Sequence, residues 1–191
     1  MHIADGIIDT RICIAAHAIS LGMIYLCSRR VDTDEIPKMG ITGAALFVIS
    51  LIHIPFAGTS IHPGLFGLAG IILGKRAFPV IFTVLLFQSL IFQHGGLITL
   101  GLNSLNMGAG AFAAWFLWKQ KYAPEFVRAL IAGFAGVIIP ALLMAIQFRL
   151  TGYGKGIFVI FSVYVAAAAS EAFISLVAVK FFRKVKSDII S

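Results

Sequence analysis

The chain opens Met1-His2, and a second histidine-bearing segment, Gly58-Thr59-Ser60-Ile61-His62-Pro63, lies far along the sequence. A free amino terminus followed at once by histidine is a chelator in its own right. The α-amine, the deprotonated amide nitrogen of His2 and its imidazole Nδ1 close two fused rings around a single ion. Three nitrogens in a plane leave a fourth corner open, and a neutral imidazole from elsewhere in the fold suits it. Planar nitrogen sets favour Cu(II) or Ni(II), with Co(II) close behind. The bulk of His2 argues that Met1 is retained, because an initiator methionine is usually trimmed only before small residues.

The elements that must bring these residues together are membrane helices. Mean hydropathy is +0.99, 60% of residues are hydrophobic and 12% are charged, against about a quarter charged in soluble domains. The net charge of +7 does not point to nucleic acid, because the basic residues fall in short turns between apolar runs, where they orient helices in a bilayer. Cys13 and Cys27 share the first apolar stretch, so neither a disulfide framework nor a CxxC site is offered. Asp5 and Asp9 precede the first apolar run and no small-x-small site follows it, so the start is not expected to be a cleavable signal.

The sequence predicts an all-α integral membrane protein, a bundle of about seven segments: Arg11 to Cys27, Met39 to Phe56, Pro63 to Gly74, Ala77 to Gln93, Leu102 to Trp118, Phe126 to Phe148 and Ile157 to Phe182. Most approach the roughly 20 residues that cross a bilayer. The third, residues 63–74, is short and is expected to cross half-way, with the backbone around His62 covered by protein. The 32–38 stretch reads as a polar turn. Of the 15 basic residues, all but Arg11, Arg149 and Lys155 fall on one side of this plan. That places the N-terminus outside and the C-terminus in the cytoplasm of a prokaryotic cell membrane. No repeat or linker interrupts the chain, and one domain over residues 1–191 is expected. Small-residue pairs at four-residue spacing, Ala18/Gly22, Gly70/Gly74, Gly110/Ala114 and Ala132/Gly136, allow close helix packing; the Ala15, Ala18, Gly22 face is the candidate for docking a partner helix.

On this orientation His2, His62 and His94 share the outer side. The chain has no GxxxxGK[ST] run, so any uphill movement of a substrate needs energy from another chain.

Three motifs together resemble one family. Met1-His2-Ile3-Ala4-Asp5-Gly6, Gly58-Thr59-Ser60-x-His62-Pro63 and His94-Gly95-Gly96-Leu97-x-Thr99-Leu100-Gly101-x-Asn103 are similar, in content and order, to the CbiM/NikM family. These are the membrane substrate-binding (S) components of energy-coupling-factor importers for cobalt and nickel. The resemblance covers essentially the whole chain, although little after Trp118 is diagnostic. It implies that the amine of Met1, the backbone nitrogen and ring of His2, and the ring of His62 bind the ion. It also implies a transmembrane coupling (T) subunit, cytoplasmic ATPase subunits, a possible small accessory membrane subunit, and lipid as the surroundings. No cofactor is implied; Co(II) or Ni(II) is cargo.

Around these ligands, Asp5 either pins the N-terminal loop over the metal or is an ordinary turn residue in Ala-Asp-Gly. Thr59 or Ser60 can orient His62, since metal-bound imidazoles donate their other ring nitrogen. Asn103 and Asn106 either bond the loop or a ring nitrogen, or join helices without touching the site. His94 is the competing ligand and is read as part of a glycine-turn loop. His17 and His53 are read as packed helix residues. Glu171, among alanines in the last segment, is a costly carboxylate that must pair, titrate or face a partner; a hydrogen bond to a neighbouring helix is the favoured reading.

The alternative function is a membrane-embedded metalloenzyme using His2 and His62. It lacks support: there is no HExxH or GxSxG run and no acid beside His62. A passive channel conflicts with a closed chelate, because conduction requires weak binding. Cobalt and nickel are not separated: planar geometry favours nickel, while the HPG and HGGL segments resemble the cobalt-type sequences slightly more.

Overall fold

A computed structural model describes residues 2–52, 54–56, 59–152, 157–186 and 189–190; of 54–56, 59–61 and 157–160 only the backbone is described. Met1 and His53 lie outside the described residues. Helices α1 (Thr10–Ser28) and α2 (Glu35–Ser50) lead into a short antiparallel hairpin, β1 (Ile54–Phe56) and β2 (Thr59–Ile61). Then follow α3 (Phe66–Leu73), one 3-10 turn (Gly74–Arg76), α4 (Ala77–Phe92), α5 (Leu100–Lys119), α6 (Glu125–Leu150) and α7 (Ile157–Val185).

Among the described residues, four helical stretches are long and apolar enough to cross a membrane: Thr10–Ser28, Phe66–Phe92 taken through the 3-10 turn, Glu125–Leu150 and Phe161–Val185. Their outward faces are apolar. Ile14, Leu21 and Tyr25 on α1 and Phe173, Val177 and Phe181 on α7 are exposed, as expected where lipid rather than water is the solvent.

Two expectations change. The second apolar segment does not stay helical to Phe56: α2 ends at Ser50, and Ile54–Phe56 pairs with Thr59–Ile61. Three β-branched or aromatic positions flanking Pro55 and a glycine suit a hairpin better than a helix end. The 32–38 stretch is also only half a turn, because Glu35–Lys38 form the first turn of α2. Pro37 fits there, where a missing N–H costs nothing.

Helix α5 is the centre, packed by α1, α3, α4 and α6. Its burial follows from small residues that let backbones close in. A Cβ on Gly101 would lie 2.6 Å from the His17 backbone, and one on Gly110 would lie 2.6 Å from the Gly136 carbonyl. Of the small-residue pairs, the ones on α3, α5 and α6 are buried inside the bundle. Ala18 and Gly22 are exposed, as is Ala15. At the other end of the bundle, Arg76 is buried and donates to the carbonyls of Cys27, Arg29 and Arg30 and to Glu35. It closes the α1–α2 turn against the α3–α4 break, and the guanidinium holds the Glu35 carboxyl below the ordinary carboxylate range.

Candidate metal site

The N-terminal segment folds back across the bundle. Asn103, fully buried near the start of α5, clamps Ile3 from both sides: its Oδ1 accepts from the Ile3 amide at 2.9 Å and its Nδ2 donates to the Ile3 carbonyl at 3.0 Å. The Thr99 hydroxyl adds a bond to the same carbonyl at 2.7 Å. Asp5 accepts from the backbone amides of Thr99 (2.9 Å) and Ile98 (3.3 Å) and from the Thr99 hydroxyl (3.0 Å). A short acceptor facing the amides that open a helix is the geometry of a cap supplied from another segment. Gly96 is required at this crossing, because a Cβ there would collide with the Asp5 carboxylate.

This strap delivers His2 to His62. His2 Nδ1 and His62 Nε2 are 3.1 Å apart, with ring centroids at 4.8 Å. His62 is buried in the loop between β2 and α3, and its Nδ1 lies 3.2 Å from the Pro63 carbonyl. His2 Nε2 lies 3.0 Å from Gln88 Oε1 on α4. His94 completes a cluster of three rings, with centroids 6.2 Å from His2 and 6.4 Å from His62, and its plane is parallel to that of His62. It is placed there by the left-handed turn at Gln93 (φ 54°), which ends α4, and by the bond from its amide to the Gln88 carbonyl. Loss of solvent in this cluster, followed by the charge of the amino terminus and the His62 ring, pulls the His2 imidazole well below its ordinary pKa of 6.5. The ring is therefore neutral at neutral pH, with a lone pair free to bind, the state a metal ligand requires.

Among the described residues no group of three or more His, Cys, Asp or Glu side chains is arranged to hold a metal. Among the described side chains, His2 and His62 are a pair whose ring nitrogens face each other directly, at 3.1 Å.

The other residues singled out by sequence are distributed unevenly. His94 lies in the cluster, while Asp5 and Asn103 hold the strap that leads to it. Asn106 does not: it exchanges two amide hydrogen bonds with Gln147 of α6, at 2.8 and 2.9 Å. The side chains of Thr59 and Ser60 lie outside the described residues, as does Met1. His17 bonds its own helix, Nδ1 to the Cys13 carbonyl at 3.0 Å. Glu171, 4% exposed, accepts from the amides of Gly64 and Leu65 in the loop that carries His62. Gln88 and Ser50 are not among the residues the sequence singles out, because a glutamine and a serine in apolar helices carry no local signature; Thr99 belongs to the third motif, and the structure adds the bond from its hydroxyl to Ile3. The only available signal was the polar cost of Gln88 in an otherwise apolar run.

The strap and the histidine pair can be set beside known proteins. The family model described as "Cobalt uptake substrate-specific transmembrane region", CbiM, matches residues 2–189. Cobalt transport protein CbiM of Thermosediminibacter oceani is 34% identical over 165 residues, covering 78% of this chain and 67% of that one. The fused nickel transport protein NikMN of Rhodobacter capsulatus is 32% identical over 162 residues, covering 78% of this chain and 47% of that one. Both are named as transport proteins, not enzymes. A crystal structure of a transition metal transporter superposes with a TM-score of 0.87 at 24% identity, covering 97% of this chain and 93% of that one, which shows the shared fold. With a family match along nearly its whole length and four span-capable helices, the chain is a multi-pass membrane protein and belongs to the CbiM family.

Proposed function

We propose that this chain is the substrate-binding component of an energy-coupling-factor importer, capturing Co(II) or Ni(II) outside the cell and passing it across the membrane. The observation that carries the reading is the approach of His2 Nδ1 to His62 Nε2, 3.1 Å apart on segments 60 residues distant. With Met1 as the mature N-terminus, the ion is held by its amine, the amide nitrogen and Nδ1 of His2, and His62 Nε2. Asp5, Thr99 and Asn103 hold the strap that carries the first three of these. The family match and the relatives named for cobalt and nickel transport support the choice of metals.

The proposal extends to a single domain over residues 1–191 in a seven-pass arrangement with the N-terminus outside. Charge bias supports the orientation: Arg29, Arg30, Lys75, Arg76, Lys119 and Arg183 lie at the end of the bundle away from the histidines by helix order. A transmembrane coupling subunit and ATPases supply the energy, with an accessory membrane subunit as a further partner. The exposed Ala15, Ala18, Gly22 face of α1 is the smooth surface against which a partner helix can pack. No observation favours the metalloenzyme reading.

The test is elemental analysis and calorimetry of protein purified with a native N-terminus, with nickel and cobalt in competition. One tightly held ion per chain is expected. Absence of tight binding to either ion would remove the reading. Vesicles holding this chain alone should not accumulate metal on addition of ATP; accumulation would refute its role as one subunit of a larger importer.

A further inference from the structure

A chain of hydrogen bonds runs from the histidine pair into the α2–α4 contact, and its direction can be read from its ends. At one end the Ser50 hydroxyl donates to the Phe47 carbonyl at 2.6 Å. A carbonyl only accepts, so the Ser50 proton is committed and its oxygen is left to accept. The neighbour at 2.6 Å is the Gln88 side-chain amide, which must therefore present its NH2 group to Ser50. That leaves Oε1 facing His2 at 3.0 Å. An amide oxygen only accepts, so His2 must carry its ring proton on Nε2, and its Nδ1 is a bare lone pair.

His62 lies against the Pro63 carbonyl through its Nδ1, at 3.2 Å. The bare Nδ1 of His2 faces His62 Nε2 at 3.1 Å, so the lone pair that this tautomer frees is aimed at the neighbouring ring.

We infer that Gln88, held by Ser50, is the residue that sets the tautomer of His2 and so aims Nδ1 at the ion. The inference rests on the proposed metal site for its purpose but not for its geometry. Gln88 does not touch the ion; it is a positioning residue, acting through the ring it fixes. Both side chains are almost fully buried, each 2% exposed, so water does not compete for either bond. An imidazole left free to choose would populate both tautomers, and the form with the proton on Nδ1 cannot close the fused chelate. Partners of this kind are typically worth about 10- to 100-fold in metal affinity.

The experiment begins with the metal-free wild-type chain carrying a native N-terminus and ¹⁵N-labelled histidine. Two-bond ¹H–¹⁵N correlation at alkaline pH, where imidazoles are neutral, reads which nitrogen of each ring is protonated. His2 should show its proton on Nε2; a His2 ring protonated on Nδ1 overturns the inference without any variant being made. Nickel and cobalt titrations of Gln88→Leu should then show affinity lowered about 10- to 100-fold, with His2 split between tautomers. Gln88→Glu, which keeps an acceptor oxygen, should recover most of the loss, and Ser50→Ala should fall between. A Gln88→Leu chain that folds and binds as wild type also overturns the inference. The His62→Ala variant separates this from the site itself. If it binds metal normally while wild-type His2 is protonated on Nε2, the metal site is wrong and the tautomer assignment stands.

Discussion

Glu171, in the middle of α7, accepts hydrogen bonds from the backbone amide of Gly64 at 2.7 Å and from the adjacent Leu65 at 2.8 Å. The loop it grips begins at His62, and Leu65 adopts the left-handed conformation (φ 48°) that a leucine avoids unless held. One buried carboxylate thus ties the last helix to the loop that presents a candidate ligand.

Removing that tie should loosen both the fold and the site. Glu171→Ala leaves two amides without their acceptor, at about 1–3 kcal/mol each. Thermal unfolding of the detergent-solubilised chain should show a clear loss of stability, and nickel affinity should fall with it. Glu171→Gln keeps one acceptor oxygen and should lie between. Equal stability of all three proteins would show that the loop is held by other contacts.

Replacing His62 with alanine removes the imidazole that faces His2 Nδ1. The loop should remain in place, since the bonds from Gly64 and Leu65 to Glu171 do not involve the ring. Tight binding of nickel and cobalt should be lost while helicity is retained. Calorimetry returning wild-type affinity would sink the site.

Asp5→Ala should weaken binding less than loss of His62 does. The strap keeps its Asn103 and Thr99 bonds to Ile3 but loses the carboxylate that holds the start of α5 against it. A drop of about tenfold in affinity is expected, within the range for groups that orient ligands. An unchanged affinity would mean that the Asn103 and Thr99 bonds to Ile3 are enough to place His2.

Acidification should destabilise the metal-free chain through His2. Its folded pKa lies below 6.5, chiefly through desolvation, so below 6.5 the unfolded chain binds a proton that the folded chain refuses. Stability therefore falls as pH drops from 6.5 to the folded pKa and is unaffected by this group above that window. Melting temperatures of wild type and His2→Phe, compared over about pH 5 to 7.5 around the ordinary imidazole pKa, should show a shallower acid loss in the variant. Parallel curves would contradict a neutral, desolvated His2.

A single glycine placed before Met1, or acetylation of the native N-terminus, should collapse metal affinity as severely as loss of His62. Both leave every histidine in place and remove only the terminal amine from the proposed chelate. Circular dichroism should be unchanged. An extended protein that binds as tightly as the native one would require a site built from His2, His62 and His94 without the amine.

Composition and charge placement by themselves determined the class of this protein, because an apolar fraction of 60% can be buried only in a bilayer and helix lengths are set by its thickness. Residue type also marked His2, His62, Asp5 and Asn103 as polar groups that need partners. Which partners they have was decided by the tertiary structure. Asn103 meets Ile3, whereas Asn106, three residues on, faces Gln147; helical spacing turns neighbours in sequence toward different helices, and only packing says which. The end of α2 and the hairpin after it were misjudged because an apolar run looks the same in a helix and in a strand. Gln88 and Ser50 carry no local signature beyond the polar cost of Gln88 in an apolar run. Their roles arise where α2, α4 and the N-terminal strap meet, a junction that includes the close approach of Gly43 on α2 to Val80 on α4, and such contacts between distant segments leave no pattern within either one.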